Sequence, residues 1–304
     1  MVVARMVTAY EDVASKRLAR KVALRQMANF LQSDERCALT AALEDADSSV
    51  VQEVEDMELS FDVPVEIYVD CPEKMGNTTG VKCLFLMEPE VVSGARRRSK
   101  GFKFDFVFGR GESDIFFAFG GTWVPEFLRL SAPKKEFFCS MICGDKSATL
   151  GHRLRRRVFD KIKNVERFAS SRSPMAKTNV QVLSSDISAK AKVALAPFRF
   201  HIAVENVSET NYFSEKIIDC FLLRTIPIYW GCPNIADFFD PDGIIHVKDE
   251  EDLLDTVHKL FENNESVYAA KASAINNNFN KAHDYIDLKA RMQAVIDTAL
   301  SSSS

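Results

Sequence analysis

Between residues 199 and 261 this chain alternates strand and helix signals at short intervals, and that alternation limits its fold more than any other feature. RFHIAVEN (199–206) has the length and apolar content of a buried strand and runs out into a polar loop. Ser214 then precedes EKIIDCFLL, in which Ile217, Ile218, Phe221 and Leu222 share one helical face, so the serine is placed as an N-cap. TIPIYW (225–230) is a second strand, closed by Gly231-Cys232-Pro233. A short helix, NIADFF, leads to the Asp240-Pro241-Asp242-Gly243 turn, strand IIHV (244–247) and helix EDLLDTVHKLF (251–261). Strand–helix–strand repetition with short turns predicts a parallel, doubly wound sheet. Ligands of such sheets sit beyond the carboxyl ends of the strands, which is where the 206–216 loop falls.

Upstream, VPVEIYVD (63–70), VKCLFLM (81–87) and FKFDFVFG (102–109) read as strands of a first α/β domain, with turn formers between them. EFFCSMIC (136–143) and the basic helix HRLRRRVFDKI (152–162) open the second. The expected division is therefore 1–134 and 135–300, which suits a chain of 304 residues. Residues 8–60 read as helical, with Val22, Leu24, Met27 and Leu31 at helical spacing and no chemistry of their own.

Composition excludes more than it identifies. The net charge of −4 creates no global field for nucleic acid, and the run Arg96-Arg97-Arg98 reads as a solvated loop. The 7 cysteines form no Cys-x-x-Cys pair and have no histidine at zinc-finger spacing, so reduced, buried thiols are expected. The first residues hold no apolar stretch long enough for a signal peptide or a membrane anchor. The expectation is a cytoplasmic, soluble protein with no membrane span and no nucleic-acid partner. His201 and His246 lie within apolar strands and read as core histidines.

The loop ENVSETNYFSEK carries the chemistry. Asn206 offers an amide and Tyr212 a flat face. Lys216 stands in the first turn of a helix, where its charge opposes the helix dipole unless an anion binds there. A diphosphate would resolve that conflict, whereas a lysine snorkelling to water is the alternative.

The order Phe200-His201-Ile202-Ala203-Val204-Glu205-Asn206, Tyr212-Phe213-Ser214-Glu215-Lys216, Thr225-Ile226-Pro227-Ile228-Tyr229-Trp230-Gly231 resembles the donor-binding segment of the α1,3/4-fucosyltransferases, glycosyltransferase family ten. The resemblance is strong over 197–247 and weaker at 81–110 and 135–165. It implies a GT-B fold, α/β with two facing Rossmann-like domains and a cleft. It also implies that Lys216 pairs with the donor diphosphate and Glu215 with the sugar. Asn206 and Tyr212 would bind the nucleotide, Tyr212 by stacking on the base, and Ser214 keeps the cap hydroxyl where the family has Thr. Arg156, three residues before Phe159, corresponds to an arginine facing the diphosphate, and its neighbours Arg155 and Arg157 leave the register open by one. Glu88, in Leu86-Met87-Glu88-Pro89-Glu90, corresponds to the general base, with Asp70 as runner-up and Glu90 after it.

An inverting transfer needs one carboxylate to take the proton of the acceptor hydroxyl. Asp45-Ala46-Asp47 and Asp240-Pro241-Asp242 have the spacing of a metal-binding pair, but the first lies in the helical region and the second in a turn. With Arg156 and Lys216 to neutralise the leaving group, neither a metal nor another cofactor is expected. The implied partners are a nucleotide sugar and a glycan acceptor. GDP-fucose is the family's default donor. A lysine–arginine grip identifies neither base nor sugar, so UDP-xylose stays open, as does a non-catalytic nucleotide-sugar or glycan-binding module.

Overall fold

The computed structural model describes residues 2–3, 5–8, 59–70, 79–170, 173–175, 180–183 and 189–302. They form two compact units: residues 1–121 with 287–304, and residues 122–286.

In the first unit, β1 (Val2–Val3) pairs antiparallel with β3 (Ser60–Phe61). Beside this ribbon β2 (Arg5–Thr8), β4 (Val65–Val69), β5 (Val81–Phe85), β6 (Phe106–Gly109) and β7 (Ile115–Phe116) make a parallel sheet in the order β2-β4-β5-β6-β7. Two short helices, α1 (Glu90–Ser93) and α2 (Ala95–Ser99), connect β5 to β6. The sheet is buried on both faces, as parallel sheets are. Val65, Ile67 and Val69 alternate with Tyr68, and the two sets enter different apolar clusters.

The second unit contains α3 (Glu126–Leu130), β8 (Phe137–Cys143), α4 (Leu150–Lys161), β9 (Glu166–Ser170), β10 (Gln181–Leu183) and α5 (Ala189–Leu195). It continues through β11 (Phe198–Val204), α6 (Glu215–Leu222), β12 (Ile226–Trp230), β13 (Ile245–His246), α7 (Glu250–Ala270) and α8 (Ala272–His283). Its sheet is parallel throughout, in the order β10-β9-β8-β11-β12-β13. The chain winds outward from β8 in one direction and from β11 in the other, so the topological switch point lies between these two strands. Met141 of β8, Phe200, Ile202 and Val204 of β11 and Ile228 of β12 pack with Leu154, Val158 and Phe159 of α4 and with Leu253 and Val257 of α7.

Most expected strands and helices occur within two residues of their sequence bounds; β6 begins later, at Phe106, and β8 is followed by α4 as anticipated. Three readings change. The division falls at Gly121/Thr122 rather than 134/135, and α9 (Leu288–Ser302) belongs with the first unit. The physical reason is its stripe of Leu288, Met292, Ile296 and Ala299, one helical face packed into the cluster of Val65, Ile67 and Phe85. The N-terminus supplies strands β1 and β2, since the β-branched Val2, Val3 and Val7 suit a ladder. The helical reading of 8–60 lies outside the described residues except at Thr8, Leu59 and Ser60, which are not helical. His201 is a satisfied core histidine, bonded through Nδ1 to Ser140 Oγ at 2.9 Å, and burial pushes its pKa down to about 3. His246 is exposed instead, because β13 is the edge of the sheet.

Replacing Ile296, fully buried on α9, with alanine is expected to destabilise the protein by about 2–5 kcal/mol. Urea unfolding followed by circular dichroism measures it, and a cost below the lower bound would remove α9 from the core of the first unit.

Candidate functional site

At the switch point, the start of α4 is pressed against the end of β11. Thr149 caps α4 by accepting from His152 N at 3.2 Å, and Thr149 N donates back to His152 Nδ1 at 3.3 Å. Gly151 N donates to Asn206 O at 3.0 Å. A Cβ on Gly151 would lie 1.7 Å from the Glu205 carbonyl oxygen, so this close approach requires glycine. With Nδ1 accepting, the His152 ring keeps its proton on Nε2. Burial, then Arg155, Lys146 and Lys216, hold its pKa down to about 4, against a hydrogen bond with the Asn206 side chain that raises it.

The loop from β11 to α6 hangs on Glu205, which is 0% exposed. Its carboxyl accepts from Ser214 N at 2.9 Å and from Ser214 Oγ at 2.7 Å, and lies 3.5 Å from Lys216 Nζ. Ser214 Oγ also caps α6, accepting from Lys216 N at 3.4 Å. Lys216 Nζ reaches Ser214 Oγ at 3.0 Å and Glu215 Oε1 at 3.2 Å. Farther along, Asn211 N and Asn234 Oδ1, and Asn234 Nδ2 and Asn211 Oδ1, are each 2.8 Å apart, tying the loop to the turn after β12. Gly231 lets that turn pass over the site, since a Cβ there would lie 2.6 Å from Glu205 Cγ.

These contacts alter two expectations about the loop. The positive charge that Lys216 places in the first turn of α6 is met within the protein by Glu205 and Glu215, so the helix dipole alone does not demand an external anion. Tyr212, expected to offer its face to a base, is 2% exposed and forms the inner wall of the loop. Its burial follows from the neighbouring Phe213, fully buried against Phe238, Phe239 and Tyr285, which draws this part of the loop into the core. Asn206, Glu215 and Lys216 remain partly exposed. Burial pushes the Glu215 carboxyl up, but Lys216 and Lys192 outweigh it and hold the pKa at about 2.

The open register on α4 can be read from the contacts. Arg155 Nη2 donates to Val204 O at the end of β11, and the charges of Glu205 and Glu215 act on its guanidinium. Burial lowers its pKa, and those carboxylates partly restore it. Arg156, one position on, is rotated about 100° around the helix, and its buried Nε makes no hydrogen bond among the described residues. Of the three arginines, Arg155 is the one bonded to the end of β11 and acted on by the loop's carboxylates, while Arg157 pairs with Glu250 of α7 at 2.5 Å. Gly151 and His152 were not singled out from the sequence, Glu205 was given no role there, and Arg155 stood only as a neighbour of Arg156 in an open register. The Glu-Asn dipeptide and the arginine run carried the signals for Glu205 and Arg155.

In the first unit, the candidate base residues meet at the carboxyl ends of β4, β5 and β6. Asp70 is 4% exposed, and its Oδ1 accepts from Met87 N at 3.0 Å and Glu88 N at 3.1 Å. Arg110 donates to the carbonyls of Leu86 and Met87 at 3.0 Å and of Glu88 at 3.4 Å. Burial, then the charge of Glu88, raises the Asp70 pKa to about 7, against the two amide bonds and Arg110. Glu90 is exposed and occupied differently, accepting from the amides of Arg96 at 2.9 Å and Arg97 at 3.3 Å at the start of α2.

The basic run is built into the fold, with Arg96 pairing with Asp114 and Arg98 donating to Asp70 O at 2.9 Å. Asp240 Oδ1 accepts from Asp242 N at 3.1 Å and Oδ2 from Asn277 Nδ2 at 2.9 Å, so this carboxylate closes its turn. Asp45 and Asp47 lie outside the described residues. Among the described residues no helix is long and apolar enough to cross a membrane.

Residues 157–271 match the family model described as glycosyltransferase family 10 (fucosyltransferase) C-term. The α-(1,3)-fucosyltransferase FucT of Helicobacter pylori is 29% identical over 119 residues, 39% of this chain and 23% of that protein, so the alignment spans about a quarter of the relative's length. The structure of Anabaena HepE in complex with UDP-glucose superposes with a TM-score of 0.56 at 10% identity, covering 99% of this chain and 100% of that one. A T4 phage BGT mutant in complex with UDP-glucose gives 0.50 at 10% identity, covering 98% and 99%. The α/β fold is thus of the GT-B class, as the sequence implied.

Two outcomes are expected from this geometry. Gly151→Ala should cost about 1–3 kcal/mol through overpacking against β11, read as a lowered Tm. Because the Asp70 pKa is raised in the folded state, its contribution to stability is complete below about pH 4 and is lost as pH rises through about 7. Asp70→Asn, which keeps an acceptor for both amides, should therefore flatten the fall of stability over that window, whose slope is at most about 1.4 kcal/mol per pH unit. An unchanged slope in denaturant titrations at pH 4 to 8 would contradict the assignment.

Proposed function

We propose that this chain, whose second unit carries a fucosyltransferase-like domain of glycosyltransferase family 10, transfers a sugar from a nucleotide-diphosphate donor to a hydroxyl of a glycan acceptor. The observation that carries the reading is the convergence of Arg155, Asn206, Glu215 and Lys216 at the carboxyl end of β11, beside the switch point. The arginine fork and the lysine supply positive charge for a diphosphate. Glu215, held ionised, accepts hydrogen bonds from sugar hydroxyls, and Asn206 with the start of α4 faces the nucleotide.

On donor binding Lys216 exchanges part of its pairing with Glu205 and Glu215 for phosphate oxygens, while Glu205 keeps Ser214 in place. The reaction is inverting. Glu88 takes the proton as the acceptor oxygen bonds to the anomeric carbon, whose bond to phosphate breaks, and the nucleoside diphosphate departs with the electron pair. Two side-chain cations neutralise the leaving group, so the transfer is metal-independent. GDP-fucose is the default donor and UDP-xylose its rival.

A thermal-shift screen across GDP, UDP, GDP-fucose and UDP-xylose identifies the base and sugar, since a ligand that binds the native state raises its Tm. Lys216→Ala and Arg155→Ala should each weaken binding of the best ligand about 10- to 100-fold, the loss of a charge-assisted contact. Arg156→Ala should weaken it less than Arg155→Ala, and the reverse order would return the diphosphate contact to Arg156. Turnover should be unchanged by EDTA. A requirement for added Mn2+ or Mg2+ would sink the metal-independent mechanism.

A further inference from the structure

Glu88 as the base leaves the second carboxyl beside it, Asp70, without a role, and any role for Asp70 in the transfer rests on that reading of Glu88. Asp70 stands at the end of β4 with φ 50°, a left-handed conformation that a non-glycine residue adopts only under local constraint. Here Asp70 N donates to Phe85 O at 2.9 Å, and Arg98 of α2 donates to Asp70 O at 2.9 Å. This turn directs the side chain at the neighbouring strand end, where one oxygen takes both the Met87 and the Glu88 amides. Arg110, after β6, closes the same segment by binding the carbonyls of Leu86, Met87 and Glu88. Three strand ends thus clamp one short stretch of backbone, and the residue it presents is Glu88.

We propose that Asp70 is the positioning residue of this site: it holds the Glu88 backbone in place and, through its charge, sets how strongly Glu88 binds a proton. The groups that face Asp70 are Glu88, Arg110 and the Arg98 guanidinium on its carbonyl; Glu90 is engaged with the amides of α2. Burial, then the charge of Glu88, keeps Asp70 protonated up to near pH 7. Coupling is reciprocal, so an ionised Asp70 raises the proton affinity of Glu88 by the same factor by which Glu88 raises that of Asp70. Below pH 7 Asp70 holds its proton, so no Asp70 charge acts on Glu88. Above it the Asp70 charge strengthens the proton affinity of Glu88, whose backbone is still held through the amide bonds to Asp70.

Carboxyl-carbon NMR titration of the full chain, without ligand, tests the coupling. In Glu88→Gln the Asp70 midpoint should fall by about one pH unit or more from its place near 7; a midpoint that stays where it was overturns the proposal. Amide exchange tests the placement. The Met87 and Glu88 amides should remain protected in Asp70→Asn and exchange faster in Asp70→Ala, and equal protection in both overturns it. Should Asp70→Ala fail to fold, the Glu88→Gln titration alone decides.

GDP release from GDP-fucose, with lactose as the acceptor probe, gives the kinetic arm. The wild-type kcat/KM should show a rise near pH 7 that Asp70→Asn lacks, with the donor KM unchanged; the same rise in Asp70→Asn overturns the proposal. Full turnover by Glu88→Gln would remove the base from Glu88 while leaving the titration result standing, so the two failures are told apart.

Discussion

The second unit depends on a carboxyl buried at the root of the loop between β11 and α6. Glu205 at the end of β11 is inaccessible to solvent, and a buried charged group is tolerated only when its lone pairs are engaged. Ser214 engages it twice, through backbone and hydroxyl, and Lys216 brings an opposing charge. That arrangement fixes where α6 begins, because Ser214 is also its cap. It requires Gly231 above, since any side chain there would collide with Glu205, and Gly151 alongside, since any side chain there would collide with its carbonyl. One residue thereby bears on two helix starts and one turn, through its side chain at α6 and at the turn and through its carbonyl at α4.

The same contact explains how two cationic side chains persist close together in the folded chain. Lys216 and Arg155 both stand within the influence of Glu205 and Glu215, so their charges are compensated and their side chains ordered before any anion arrives. The first unit works on a related principle with the sign reversed: two carboxyls, Asp70 and Glu88, share one strand end, and two arginines hold the backbone around them.

The order of strands and helices in the second unit was legible because each element signals locally: Ser214 as a cap, the apolar stripe of α6, the Gly-Cys-Pro stop after β12. The loop residues Asn206, Ser214, Glu215 and Lys216 were legible from the spacing of one contiguous segment. Tyr212 was read outward because an aromatic ring in a polar loop resembles a platform, whereas its neighbour Phe213 nests in a cluster of rings contributed from residues 238, 239 and 285. No local pattern reveals partners so distant. The choice of Arg155 over Arg156 is a rotation of about 100° around a helix, a quantity that depends on which face packs on the sheet. The last helix was assigned to the wrong unit because its apolar stripe shows that it is buried but not against which sheet.

By itself the sequence determined the α/β class, the parallel second sheet and the extent of the loop between β11 and α6, since periodicity, caps and turns act over a few residues. Tertiary structure alone decided which arginine meets the loop, that the Lys216 charge is already answered, and that Asp70 and Glu88 share one site. Each of those is a contact or a field between groups brought together by folding. Such terms depend on distance and burial in the folded state, which no local pattern encodes.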